Sequence, residues 1–118
     1  FDYSIKGPDF TILKDVESLT RYMIQKNKPI GAICIAPVMI AKILQNLDRK
    51  GKLTGGFNEQ ILTDIESMGM ITEKVNATEI VIDYENKIVS TPAYVEANSI
   101  KEVAEGIEKL VDAVLGMV

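Results

Sequence analysis

The chain of 118 residues contains no histidine, no tryptophan and a single cysteine, Cys34. Histidine is the side chain that most often binds transition metals and acts as a general base near neutral pH. Its absence argues against a zinc site, and one cysteine excludes an internal disulfide framework. We therefore expect no metal and no cofactor, and a free cysteine is typical of a reducing compartment.

Concentrated positive charge and long apolar runs are also missing. The chain has 17 acidic and 13 basic residues, which gives a net charge of −4, and no basic run exceeds two residues. Proteins that bind nucleic acid usually carry a basic patch, and a membrane-spanning helix needs a longer apolar run. We expect a small-molecule substrate, with no binding to nucleic acid or membrane. The expected location is the cytoplasm, or the mitochondrion if the host is a eukaryote.

The strongest pattern is the apolar run Ile30–Ile33, which is typical of a buried strand. Cys34 follows at once, and Pro37 lies in the first turn of a helical pattern that reaches about Leu47. Cys34 is therefore expected at a sharp strand-to-helix turn, facing backbone N–H groups. That is the nucleophile-elbow arrangement, with the backbone N–H of Ile35 as the oxyanion donor. The alternative is a small buried hydrophobic residue, which is the usual role of a free cysteine.

The rest of the chain alternates between helical and strand patterns. Further helices are expected after an Asp15 N-cap, after an Asn58 N-cap and over Ile100–Leu115. Short strands are expected at 52–55, 71–75, 79–83 and 87–91, of which the last two form a hairpin. This order predicts an α/β fold with a mostly parallel sheet between helices. Because a buried parallel strand needs neighbours on both sides, we expect residues 1–118 to be part of a larger domain.

Two motifs occur in order, Gly31-Ala32-Ile33-Cys34-Ile35-Ala36-Pro37 and Thr91-Pro92-Ala93-Tyr94. Together they resemble the ElbB-like proteins, a branch of the ThiJ/PfpI group in the class I glutamine amidotransferase-like superfamily. Shorter matches extend this resemblance over nearly the whole chain; they are Lys52–Thr54, Met68–Gly69, Asp83–Val89 and Gly106–Val111. The resemblance implies a flavodoxin-like three-layer sandwich, of which this chain is the C-terminal portion, with the N-terminal half absent.

The resemblance also implies a function, which is cofactor-independent glyoxalase-type chemistry on a small reactive aldehyde, with Cys34 as the catalytic nucleophile. The glutamate that the family places opposite this cysteine comes from the early part of its domain and has no counterpart here. Members with a Cys-His dyad have histidine directly after the nucleophile. That position is Ile35 in this chain, so protease-type chemistry by that route is not supported.

The segment Thr91–Tyr94 has two interpretations, a packed strand end or one wall of a pocket at the carboxyl edge of the sheet. The candidate pocket residues are Gly31, Thr91, Pro92 and Tyr94, although Gly31 also suits close helix–strand packing. Three carboxylates are alternative acids, namely Glu79, Glu85 and Glu96, and only Glu96 lies near the pocket segment.

Two other functions stay open: a redox-sensing or stress-response protein that uses an oxidisable Cys34, and a catalytically silent fragment or subunit. The expected partner is a second copy in a homo-oligomer such as a dimer, or the missing N-terminal half.

Overall fold

The computed structural model describes all 118 residues, Phe1–Val118, and contains five α-helices and five strands. The helices are α1 Tyr3–Lys6, α2 Lys14–Gln25, α3 Ala36–Asn46, α4 Glu59–Ser67 and α5 Ile100–Leu115. The strands are β1 Ile30–Ile33, β2 Lys52–Leu53, β3 Ile71–Thr72, β4 Val81–Asp83 and β5 Ile88–Thr91. Short 3₁₀ turns occupy Gly7–Asp9 and Ala93–Val95. None of the helices combines the length and the apolar character needed to cross a bilayer.

The main sheet has three strands in the order β1-β5-β4. β1 and β5 run parallel, with Ile30 opposite Ile88 and Ile33 opposite Thr91. β5 and β4 form the expected antiparallel hairpin, and Lys87 takes a left-handed conformation in its turn. β2 and β3 form a separate parallel pair. The expected α/β fold is confirmed, but β1 lies at an edge of this sheet and has a strand neighbour on one side only.

Helices cover both faces of β1. Side chains along a strand alternate between its two faces, so neighbouring residues of β1 contact different helices. Ala32 is buried in the same apolar core as Val38 and Ala41 of α3. Gly31 faces the other side, where a Cβ would lie 2.6 Å from Leu110 Cδ2 of α5. The helix α3, which is apolar on nearly all sides, therefore lies in the interior, and α5 packs directly on the opposite face of the sheet.

Glycine lets α5 approach the sheet region closely at a second point. A Cβ on Gly106 would lie 1.9 Å from the carbonyl oxygen of Ala77 and 2.9 Å from Thr91 Oγ1. These distances are shorter than any real carbon–oxygen contact, and a backbone carbonyl cannot move aside as a flexible side chain can. Gly106 therefore sets the distance between α5 and the end of β5.

The first residues of α4 and α2 test the two N-caps that the sequence predicts. Asn58 caps α4 as expected, since its side chain accepts a hydrogen bond from the Ile61 N–H at 3.0 Å. The expected Asp15 N-cap is wrong, because α2 begins at Lys14 and its N-cap, Leu13, has no capping side chain. Asp15 lies in the first turn instead, where a carboxylate interacts favourably with the helix dipole.

The first ten residues, which show no clear period, form a small aromatic cluster against α4. The rings of Phe1, Tyr3 and Phe10 contact one another. The Tyr3 hydroxyl donates a hydrogen bond of 2.5 Å to the buried carboxylate of Asp64. Burial and this carboxylate raise the pKa of Tyr3 above its ordinary value.

Apolar side chains remain exposed on two helices, α2 and α5. Helix α2 is amphipathic, yet Leu19 is 63% exposed, and Val16 is also exposed. On the other face of the sheet, Val111 and Leu115 of α5 are exposed, Leu115 by 65%. An amphipathic helix normally buries its apolar stripe against a neighbouring layer. Part of the apolar stripe of each of these two helices is therefore left without a covering layer.

Replacing Gly106 with alanine tests the close packing of α5. Alanine favours a helix interior over glycine by about 1 kcal/mol, so propensity alone predicts a more stable protein. We expect the opposite, a loss of about 1–3 kcal/mol in the free energy of unfolding, because the new methyl group meets the Ala77 carbonyl. Urea unfolding measures the change. Gly116→Ala is the matched control, since its Cβ would meet no atom closer than 3.4 Å, and Gly106→Ala equal to this control would contradict the packing.

Candidate active site

Cys34 occupies the turn between β1 and α3, with a backbone φ of 66°. This left-handed conformation is rare for residues other than glycine and costs about 1–3 kcal/mol. The Cys34 N–H donates a 3.1 Å hydrogen bond to the carbonyl oxygen of Thr91, which joins the turn to the end of β5. The thiol is free and partly exposed. The structure therefore gives Cys34 the sharp strand-to-helix turn that the sequence predicts.

Ile35 and Pro37 form the start of α3 directly behind the thiol. Ile35 is the N-cap residue, and its carbonyl oxygen accepts a hydrogen bond from the Val38 N–H at 3.0 Å. Its own N–H donates to no acceptor in the chain. The positive end of the helix dipole lies at this point, and negative charge is stabilised there. The geometry can accommodate a thiolate beside a backbone donor, which is the requirement for nucleophilic attack on a carbonyl.

The segment after β5 lies beside this turn. The carbonyl oxygen of Thr91 contacts Cys34, whereas its hydroxyl is used inside the fold, where it donates to the Glu79 carbonyl at 2.8 Å. Pro92 is buried, and Tyr94 is 68% exposed. Of the candidate pocket residues, Thr91 thus contacts Cys34 through its backbone, and Tyr94 presents an aromatic ring to solvent two residues after Pro92.

Gly31 lies on β1, three residues before the nucleophile. The space beside its Cα is filled by Leu110 and Val114 of α5. Its position in the structure is therefore the helix–sheet interface, which matches the packing alternative for this glycine.

Sequence patterns did not single out the loop that follows β2. The expected strand at 52–55 ends in this loop, where Gly56 has a φ of 66° and lies against Pro92. The next residue, Phe57, donates its N–H to Glu96 Oε2 at 3.0 Å. The glycine pair Gly55-Gly56 is a local indication of an unusual turn. Nothing in the local sequence indicates that Phe57 contacts Glu96, which lies 39 positions later.

The other carboxylates lie elsewhere. Glu85 belongs to the hairpin turn, where it lines an open surface groove together with Lys50 and Tyr84. Glu79 accepts hydrogen bonds from Asn76 at 3.4 Å. No three His, Cys, Asp or Glu side chains converge in an arrangement that could hold a metal ion.

Three curated proteins are similar to this chain. It is 29% identical to the human "Glutamine amidotransferase-like class 1 domain-containing protein 3, mitochondrial" over an alignment of 121 positions, which covers 96% of the chain and 44% of that protein. It is 27% identical to the rat "ES1 protein homolog, mitochondrial", with the same coverage. It is 26% identical to the zebrafish "ES1 protein, mitochondrial", over 78% of the chain and 37% of that protein. The chain spans less than half the length of these relatives.

A solved structure agrees with these similarities. The fold superimposes with a TM-score of 0.81 on an isoprenoid biosynthesis protein with an amidotransferase-like domain from Ehrlichia chaffeensis. The two are 28% identical, and the match covers 91% of this chain and 49% of the other. No family model matches the chain. The similarities confirm a flavodoxin-like, amidotransferase-like fold and support the class I glutamine amidotransferase-like superfamily, without singling out its ElbB-like branch.

Two substitutions at Cys34 test the strained turn. Both Cys34→Ala and Cys34→Gly remove the thiol, but only glycine adopts a φ of 66° without steric cost. At an ordinary position alanine is the more stabilising residue. Here we expect Cys34→Gly to be more stable than Cys34→Ala by about 1 kcal/mol. Thermal and urea unfolding of the two variants measure the order, and a more stable alanine variant would contradict a left-handed Cys34.

Proposed function

We propose that this chain is the nucleophile-bearing portion of an ElbB-like, ThiJ/PfpI-type protein whose completed domain converts small reactive aldehydes by glyoxalase-type chemistry. The observation that carries the proposal is the geometry of Cys34. Its thiol follows a left-handed turn at the start of α3, and the neighbouring Ile35 N–H is unpaired. These features leave a free backbone donor next to the residue that carries the nucleophile, and such a donor can stabilise an oxyanion.

The proposed reaction starts from a 2-oxoaldehyde such as methylglyoxal. The Cys34 thiolate attacks the aldehyde carbon, a carbon–sulfur bond forms, and the Ile35 N–H stabilises the oxygen that gains negative charge. Protonation of that oxygen gives a hemithioacetal. A base then moves the proton of the former aldehyde carbon to the neighbouring ketone carbon, and the hemithioacetal hydroxyl proton passes to the ketone oxygen. The product is a 2-hydroxyacyl thioester. Water hydrolyses the thioester and releases lactate and the thiol, so the only co-reactant is water.

The proton transfers require a carboxylate, and we propose that it comes from an additional α/β portion that completes the sheet. Three features support such a portion: the unpaired edge of β1, the exposed apolar stripe of α2, and the exposed stripe at the end of α5. The curated relatives are more than twice as long as their matched region. A further strand beside β1 would pair its free backbone groups and provide a layer beneath α2. A homo-oligomer such as a dimer formed through the same face is the alternative.

The location proposed for a eukaryotic host is the mitochondrion. Three curated relatives are named as mitochondrial proteins, which favours this location over the cytoplasm.

The aldehyde chemistry is tested by measuring lactate formation from methylglyoxal. The enzyme assayed is the polypeptide in which residues 1–118 are joined to the portion that completes the sheet. We expect Cys34→Ala to lower the rate by at least about 100-fold, because the attacking atom is lost. Tyr84→Phe, in the distant hairpin turn, is the control and should retain the rate of the unmodified protein. Equal lactate production with and without the Cys34 sulfur would remove the proposal.

A second candidate function is redox sensing, which the partly exposed free thiol of Cys34 favours. A thiolate in such a position is oxidised to sulfenic acid and then to sulfinic acid. Under this proposal mild peroxide adds oxygen stoichiometrically to the protein, and Cys34→Ala abolishes the gain. Intact-mass measurement detects the addition. Oxidation without turnover of any aldehyde would favour the sensor, whereas no mass gain at peroxide levels that leave the five methionines unchanged would reject it.

A further inference from the structure

Glu96 connects two loops at the edge of the sheet where Cys34 lies. One loop, Thr54–Asn58, follows β2, and the other segment, Pro92–Glu96, follows β5. The carboxylate oxygen Oε2 of Glu96 accepts a hydrogen bond of 3.0 Å from the Phe57 N–H. Hydrogen bonds from backbone N–H groups to a carboxylate are stronger than those between neutral groups. Through this side-chain hydrogen bond, Glu96 contacts a residue 39 positions earlier in the chain.

The Thr54–Asn58 loop packs closely against the Pro92–Glu96 segment. A Cβ at Gly56 would lie 2.8 Å from Glu96 Oε2 and 3.1 Å from Pro92 Cβ. The base of the loop is also fixed, since the Thr54 N–H donates to Ser90 Oγ at 3.2 Å. The loop therefore has one attachment to β5 and a second to Glu96.

The Pro92–Glu96 segment needs such an attachment because it holds a strained residue. Ala93 is fully buried with a φ of 49°, a conformation that persists in a non-glycine residue only where the surroundings enforce it. The segment begins directly after Thr91, whose carbonyl oxygen accepts the Cys34 N–H. A displacement of Pro92–Glu96 is therefore passed to the hydrogen bond that fixes the nucleophile turn.

We propose that Glu96 is a positioning residue for the candidate active site: its carboxylate holds the Thr54–Asn58 loop and the Pro92–Glu96 segment together and so keeps Cys34 in place. The link also sets the positions of Phe57 and Tyr94, two aromatic side chains that are 47% and 68% exposed. This assignment rests on the proposed function for its meaning in catalysis, but the mechanical link is testable without any reaction.

The test is hydrogen exchange of the Cys34 amide, followed by NMR on the ¹⁵N-labelled chain. Glu96→Ala removes the acceptor, and Glu96→Asp keeps the charge but shortens the side chain by one methylene. We expect both to speed Cys34 exchange by about three- to tenfold at unchanged global stability. Glu96→Gln retains a neutral acceptor oxygen at the same reach, so its exchange rate should lie between those of Glu96→Ala and the unmodified chain. Glu85→Ala is the matched control for removing an exposed carboxylate.

The readouts separate this proposal from the proposed chemistry. Unchanged Cys34 exchange in both Glu96→Ala and Glu96→Asp would overturn the positioning role. Exchange in Glu96→Gln as fast as in Glu96→Ala would also overturn it, because the hydrogen bond would then not be the cause. If exchange speeds up at every amide by the same factor, the effect is global unfolding and the positioning role is rejected. A failure of lactate formation changes none of these outcomes, since amide exchange involves no substrate.

Discussion

The parallel pairing of β1 with β5 is the constraint on which the site depends. Its register places Ile33 opposite Thr91, so the two strands end at the same level. The next N–H along β1 belongs to Cys34, and it continues the ladder by one hydrogen bond to the Thr91 carbonyl. A shift of one residue would reverse the face of every side chain on β1 and remove this bond. The position of the thiol thus follows from strand register before any side chain of the site is considered.

Two of the five non-glycine residues that have a positive φ lie at this edge of the sheet. Cys34, Gly56 and Ala93 each have a positive φ, and each lies within three residues of the end of a strand. Two of the three carry a Cβ and are held in an unfavourable conformation by the packing around them. In contrast, the free edge of β1 has no strand partner, and apolar side chains of α2 and α5 are exposed. The fold therefore combines a rigid site with an uncovered side, as expected if further strands complete the sheet.

Local patterns predicted the elements that carry the site. The apolar run at Ile30–Ile33 became β1 at its expected bounds, and the apolar helix with Pro37 in its first turn became α3. The amphipathic period of α5 and the Asn58 cap were also predicted correctly, since both depend on neighbours within four residues. The predicted Asp15 N-cap was wrong, because the residues near the start of α2 do not by themselves specify where the helix begins. Several residues near the start of α2 suit a first turn, and tertiary contacts decide where the helix begins.

By itself the sequence determined an α/β order of elements and a cysteine at a strand-to-helix turn, because period, proline position and turn residues act over short distances. Only the tertiary structure decided which distant groups meet. The contacts of Glu96 with Phe57, of Tyr3 with Asp64 and of Gly106 with Ala77 join residues from different elements. Such pairs depend on how the helices pack on the sheet, and no local pattern encodes them. The secondary structure of each segment could therefore be predicted from the sequence, whereas the surroundings of Cys34 could not.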